Sequence, residues 1–160
     1  MAAHLNTPVA RTIAPVDVSL LLLRLGVAAI GVYHGGQKLF GLFNGYGLKA
    51  TAEWMASIDI PAPMLSAILA STTEFFGGIF IALGLLTRFW SAGFTIAMLV
   101  AIVTVHSGAF AVASNGMEFA MIVGIATLAL AIAGPGRLNI VSLAARLAGK
   151  PAPRPHFALA

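Results

Sequence analysis

Apolar residues run along this chain in four long blocks, separated by short clusters of glycine, proline and charge. The first block, about Val16 to Phe40, exceeds the ~20 residues that a bilayer core requires of a helix. The second covers about Met64 to Leu86 and closes on the turn Thr87-Arg88. The third covers about Phe89 to Phe110, and Ser107 to Gly116 links it onward. The fourth, about Met117 to Ala133, is the shortest and needs tilt or local thinning to cross. Gly134-Pro135-Gly136 stops it, as a strong helix breaker does.

Between the first two blocks, Gly41 to Gly47 reads as a turn in which glycines and Asn44 supply positive φ angles. Leu48 to Ile58 then reads as a short amphipathic helix. Leu48, Ala52, Met55 and Ala56 form one side, and Lys49 and Glu53 sit four apart on the other. Trp54 suits the headgroup interface. Leu138 to Gly149 is a second amphipathic segment, carrying Arg146. The expected fold is an all-α integral membrane protein: a four-transmembrane-helix bundle with a short interfacial helix between spans one and two. Residues 1–15 form an N-terminal tail, 16–136 the bundle, 137–150 an interfacial segment and 151–160 a Pro-rich disordered tail. Met1 to Pro15 lacks the pattern of a cleaved signal peptide, so the first span is expected to act as its own membrane signal.

Composition agrees with the pattern. The 160 residues are 59% hydrophobic and 9% charged, with a mean hydropathy of +0.97. A soluble domain carries roughly 25% charged residues. With no cysteine, the chain holds no disulfide, no thiolate nucleophile and no cysteine-ligated metal. The formal charge of +4 does not indicate nucleic-acid binding, because the basic residues gather at segment ends and in the C-terminal tail without a basic-aromatic groove. They set topology instead. With four spans, Arg11, Arg88, Arg137, Arg146, Lys150 and Arg154 share one side, and Lys38 and Lys49 the other. The positive-inside rule puts both termini in the cytoplasm.

That topology gives the polar residues within the spans a depth. Charge inside a bilayer is costly unless paired or hydrated, and it marks function by default. His34, Gln37 and Lys38 fall in the outer part of span one, and Gly31 and Gly35 let another helix approach beside them. His106 ends span three, Glu118 starts span four, and Glu74 lies near mid-depth in span two. Arg24, His34 and Lys38 share one helix face, with Lys38 about 40° and His34 about 80° from Arg24. Arg24 sits roughly 15 Å deeper than His34 and is expected to pair with Glu74, and Lys38 with Glu118.

Three chemistries fit such a cluster. One is a quinone headgroup site, where His and Glu exchange protons and Tyr33, Phe40, Phe75, Phe76 and Phe110 line the tail's entry. A metal or haem site through His34 and His106, with Glu74 or Glu118, is a weaker pattern without a ligand signature. The third is transport of a proton or small solute. Each residue also has a plain reading. An Arg24–Glu74 pair serves as helix glue, Lys38 snorkels, Gly77-Gly78 packs helices, and His106 and Glu118 are wet interfacial groups.

The motifs His34-Gly35-Gly36-Gln37-Lys38-Leu39-Phe40-Gly41, Glu74-Phe75-Phe76-Gly77-Gly78, Gly84-Leu85-Leu86-Thr87-Arg88, His106 with Gly116-Met117-Glu118, and Gly134-Pro135-Gly136-Arg137 resemble the DoxX family of small bacterial membrane proteins, in the family's order. The resemblance covers about residues 17 to 142. It implies a four-helix protein of the bacterial inner membrane, often labelled an oxidoreductase. Related members are described as subunits of thiosulfate:quinone oxidoreductase or as parts of membrane redox complexes with soluble partners.

The resulting expectation is a quinone-linked redox component. His34, Glu74, His106 and Glu118 are its catalytic candidates, and His34, Gln37, Lys38 and Arg24 its cofactor-binding candidates. Quinone is the expected cofactor. The expected partners are the lipid bilayer, a soluble redox protein and a second copy of the chain. The alternative is a non-enzymatic membrane scaffold or a small-solute permease.

Overall fold

The computed structural model describes residues 13–150. Most of the expected N-terminal tail, with Arg11, and the expected tail from 151, with Arg154, lie outside the described residues. Pro15 opens the first helix, α1 (Pro15–Phe40), where its fixed φ suits a first turn and its missing N–H is not needed. Asp17, two residues further on, reaches back and accepts the Ala14 N–H at 3.0 Å. Gly41, at φ 72°, turns the chain out of the helix, as a residue without a Cβ can do cheaply.

The remaining helices follow the expected blocks with shifted ends. They are α2 (Gly47–Ser57), α3 (Pro63–Leu83), α4 (Thr87–Thr104), α5 (Glu118–Ala133) and α6 (Ile140–Leu147), with a single 3-10 turn at Val112–Ser114. The second block stops at Leu83 rather than Leu86, because Gly84 adopts φ 73° and the Leu85 N–H folds back onto the Phe80 carbonyl at 2.9 Å. The third stops at Thr104, six residues short of Phe110. His106 therefore lies in the connection, where its N–H meets the Ala101 carbonyl at 3.1 Å.

Packing pairs α1 with α3 and α4 with α5. α3 also meets α4, and α2 lies against α3 and α1. Val27, Ile81, Phe94, Val123 and Leu130 form the buried core across all four long helices. A hydrogen bond between the Thr95 and Thr127 hydroxyls, at 2.8 Å, joins α4 to α5 inside it. Outward-facing side chains are apolar along most of the bundle, including Leu22, Ile96, Val103, Ile122 and Ile132, the inverse of a water-soluble surface. α1, α3 and α4 are long and apolar enough to cross a membrane. α5 is apolar but has 16 residues, a rise of about 24 Å against a hydrocarbon core of ~30 Å.

Arg24 and Asp17 fasten the start of α1 to the segment after α5. Arg24 is fully buried. Its guanidinium donates to the carbonyls of Ile81 and Ala82, at 3.4 and 3.3 Å, and to that of Leu138. Both Ile81 and Ala82 belong to the last turn of α3, where carbonyls lack helical partners and a cation is favoured, and the Ile81 carbonyl also accepts the Gly84 N–H at 3.1 Å. Asp17 accepts the Arg137 N–H at 2.9 Å. The expected Arg24–Glu74 pair is thus not formed. A helical side chain leans toward its own N-terminus, so Arg24 extends away from Glu74, toward Leu138.

Candidate functional site

The site begins with the close approach of α1 and α3. A Cβ on Gly35 would lie 2.4 Å from the Phe75 nitrogen, and one on Gly31 would lie 2.6 Å from the Glu74 carbonyl oxygen. Only hydrogen fits in either place, so the two backbones meet where Glu74 leaves α3. Gly77 and Gly78 serve packing as well, against Trp90 and against the backbone of Ala28 and Val32.

Glu74 is 2% exposed, and its partner is Lys38. The Lys38 Nζ stands 2.5 and 2.7 Å from the two carboxylate oxygens. The expected Lys38–Glu118 pair is replaced by this one for the same geometric reason: Lys38 leans back along α1 and meets the carboxylate below it. A buried carboxylate is tolerated when its charge is matched and its oxygens accept hydrogen bonds. The Lys38 side chain keeps 33% of its surface open, so one end of the pair communicates with the exterior.

His34 is one turn below Lys38 on α1. It is half-buried and lies within electrostatic reach of both Lys38 and Glu74, beside Gln37. Its ring meets Tyr33 edge-on at 5.2 Å between centroids and Phe119 of α5 at 5.9 Å. Gln37 Nε2 donates to the Phe43 carbonyl at 3.3 Å, which holds the 41–47 loop over the site. From α2, the Thr51 hydroxyl lies 3.3 Å from the Lys38 carbonyl. Phe40, Phe75 and Phe76 pack edge-to-face beside the pair, with centroids 5.1 to 6.4 Å apart. Tyr33 instead stacks on Phe43 at 5.1 Å, and Phe110 is exposed on the connection after α4.

His106 and Glu118 bind their own connection. His106 Nδ1 is 2.9 Å from the Asn115 carbonyl oxygen, and Glu118 Oε1 accepts the Val112 N–H at 2.5 Å. These bonds fold the 105–117 segment. The structure therefore brings together His34, Gln37, Lys38 and Glu74, with Arg24 toward the other end of α1, His106 in the α4–α5 connection and Glu118 at the start of α5. Among the described residues, no group of three or more His, Cys, Asp or Glu side chains could hold a metal ion.

Two residues missed in the sequence belong to this picture. Ser71 is fully buried on α3, three residues before Glu74 and on its face. Its hydroxyl has no hydrogen-bond partner among the described residues. Its spacing from Glu74 puts the two on one helix face, but which face of α3 is buried is set by its packing on α1. Asp17 lies seven residues before Arg24, again on the same helix face. Beside the site, an apolar groove of about 460 Å³ runs between α1 and α3, walled by Ala29, Val32, Tyr33, Phe43, Ile79 and Leu83. Its upper end is the Tyr33–Phe43 stack, one residue from His34.

The family model for DoxX matches residues 19–107, which include His34, Lys38, Glu74 and His106. The chain is also 36% identical over 129 residues to the inner membrane protein YphA of Escherichia coli strain K12, covering 77% of this chain and 88% of that one. No solved structure gives a significant match. An all-helical chain with three membrane-length apolar helices, matched over more than half its length by that model, belongs to the DoxX family.

Proposed function

We propose that this chain is a multi-pass protein of the bacterial inner membrane, with α5 as a fourth, shorter crossing, α2 at the interface and both termini cytoplasmic. The similarity to an inner membrane protein supports the location. The orientation rests on Arg88, Arg137, Arg146 and Lys150 at the α3–α4 and α6 end, against Lys38 and Lys49 at the other.

Within that frame, the Lys38–Glu74 pair with His34 is the proton-exchanging part of a quinone-linked redox site. The observation that carries this reading is a carboxylate 2% exposed, bridged by an ammonium that remains one-third open, with an imidazole within reach of both. Such groups hydrogen-bond a quinone carbonyl and deliver protons to its oxygen as it is reduced. The apolar groove ending at Tyr33 suits an isoprenoid tail, and the buried Ser71 hydroxyl offers a further donor. Reducing a quinone to its hydroquinone consumes electrons and protons in equal number. The protons pass through His34 and the pair, and the electrons come from a soluble redox protein, since the cysteine-free chain offers no thiol couple. His106 and Glu118 would act by holding the 105–117 connection beside the site. Arg24 would support the site at a distance through α3.

A second reading is a membrane scaffold or small-solute permease. It is favoured by both Glu74 oxygens being bridged by Lys38 within a tight α1–α3 contact. Titration of purified protein with a short-tailed quinone, followed by ultraviolet difference spectra, separates the two. The redox reading expects saturable binding, weakened at least about tenfold by His34→Ala or Glu74→Gln in protein that still folds. Absence of saturable binding, or equal binding by the variants, leaves the scaffold or permease.

A further inference from the structure

At the opposite end of the bundle, a second cavity of about 360 Å³ opens between the C-terminal end of α3 and α6. Its walls are Ala82 and Leu83 on one side and Ile140 and Leu143 on the other, with Arg137 and Arg146 lining it and no acidic residue among its walls. We propose that this cavity binds an anionic phospholipid, the phosphate meeting the arginines and an acyl chain lying against Leu83 and Leu143.

Charge and surface both point to that occupant. The polar groups around the cavity are otherwise engaged. Asn139 accepts the Ser142 N–H at 2.9 Å and donates to the Gly136 carbonyl at 2.8 Å, and the Leu138 carbonyl is taken by Arg24. The C-terminal carbonyls of α3 would repel an anion, but Arg24 covers those of Ile81 and Ala82. Asp17, the nearby acid, accepts the N–H groups of Ala14 and Arg137, and its single negative charge is outnumbered by Arg24, Arg137 and Arg146. The local field is therefore positive. Arg146 is exposed and in no ion pair among the described residues.

A soluble anion would not explain the apolar side. Ile140, Leu143 and Leu147 recur along one stripe of α6 and all three are exposed, as in a helix lying in a membrane interface. Two guanidinium groups beside an apolar wall at the cytoplasmic end of a bundle suit acidic headgroups. The planar fork of arginine also suits a phosphate better than lysine does.

The test uses full-length protein, delipidated in detergent, then mixed with phosphatidylglycerol or phosphatidylcholine. Native mass spectrometry counts the lipid retained. Phosphatidylglycerol should be retained over phosphatidylcholine, Arg146→Gln should weaken that retention about fivefold, and Lys49→Gln at the other end should leave it unchanged. Equal retention of the two lipids by wild-type protein would overturn the proposal, and this comparison needs no variant to fold. So would an Arg146→Gln protein that holds phosphatidylglycerol as wild type does. Displacement of the lipid by inorganic phosphate would also overturn it, showing a bare anion site.

Discussion

The ammonium of Lys38 lies across both oxygens of the Glu74 carboxylate, at 2.5 and 2.7 Å, joining the C-terminal end of α1 to the middle of α3. Removing one partner leaves the other charge in a poor environment. Glu74→Gln should destabilise the protein by about 2 kcal/mol. This is below the ~3–5 kcal/mol of a fully enclosed pair, because Lys38 can turn outward. Lys38→Met should cost more, since Glu74 has no such exit. The double variant should cost less than the sum. Denaturant unfolding in detergent measures all three, and strict additivity would show that the pair is not coupled.

Gly35 and Gly26 lie on the same helix and should respond oppositely to alanine. At Gly35 the added methyl would fall 2.4 to 2.8 Å from the backbone and Cβ of Phe75, whereas at Gly26 it meets nothing within 4 Å. Gly35→Ala should cost about 1–3 kcal/mol or more by forcing α1 from α3. Gly26→Ala should be neutral or gain up to ~1 kcal/mol from helix propensity. Thermal unfolding of the two variants checks the contrast.

Arg24 reaches carbonyls on two segments far apart in sequence. Arg24→Lys keeps the charge but loses the fork that spans them. It should therefore fail to rescue Arg24→Gln, with both losing about 1.5–3 kcal/mol. Amide hydrogen exchange should quicken around Leu138 to Ser142. Unchanged exchange there would mean that Arg24 does not hold the segment.

Asp17→Asn removes a charged acceptor shared by the N–H groups of Ala14 and Arg137. The expected loss is about 1–2 kcal/mol. Faster exchange should appear at the Arg137 amide and leave α4 unaffected.

The helices were legible because apolar block length and glycine or proline breaks report directly on chain geometry. Gly84 and Gly134 end their helices as their types suggest, each at positive φ. The third block misled because Val105 to Phe110 remains apolar enough to read as helix, while the bonds that fold it away involve Asn115 and Glu118 further on. The polar site was half legible. Residue depth placed His34, Lys38 and Glu74 near one another, but depth does not say which way a side chain leans. That lean, toward the helix N-terminus, sends Lys38 to Glu74 and Arg24 to Leu138. The burial of Ser71 depends on which face of α3 meets α1, and no spacing within α3 alone decides it.

Infrared difference spectra on adding quinone to the purified protein test the proposed redox site most directly, because they report on the ligand's carbonyl and on carboxyl protonation together. The quinone carbonyl band should shift to lower frequency, and the shift should disappear in His34→Ala. A carboxyl signal should appear and be absent from Glu74→Gln but present in Asp17→Asn. An unshifted carbonyl band with no carboxyl signal would contradict a quinone-linked role for Lys38 and Glu74, leaving them as a clamp between two helices.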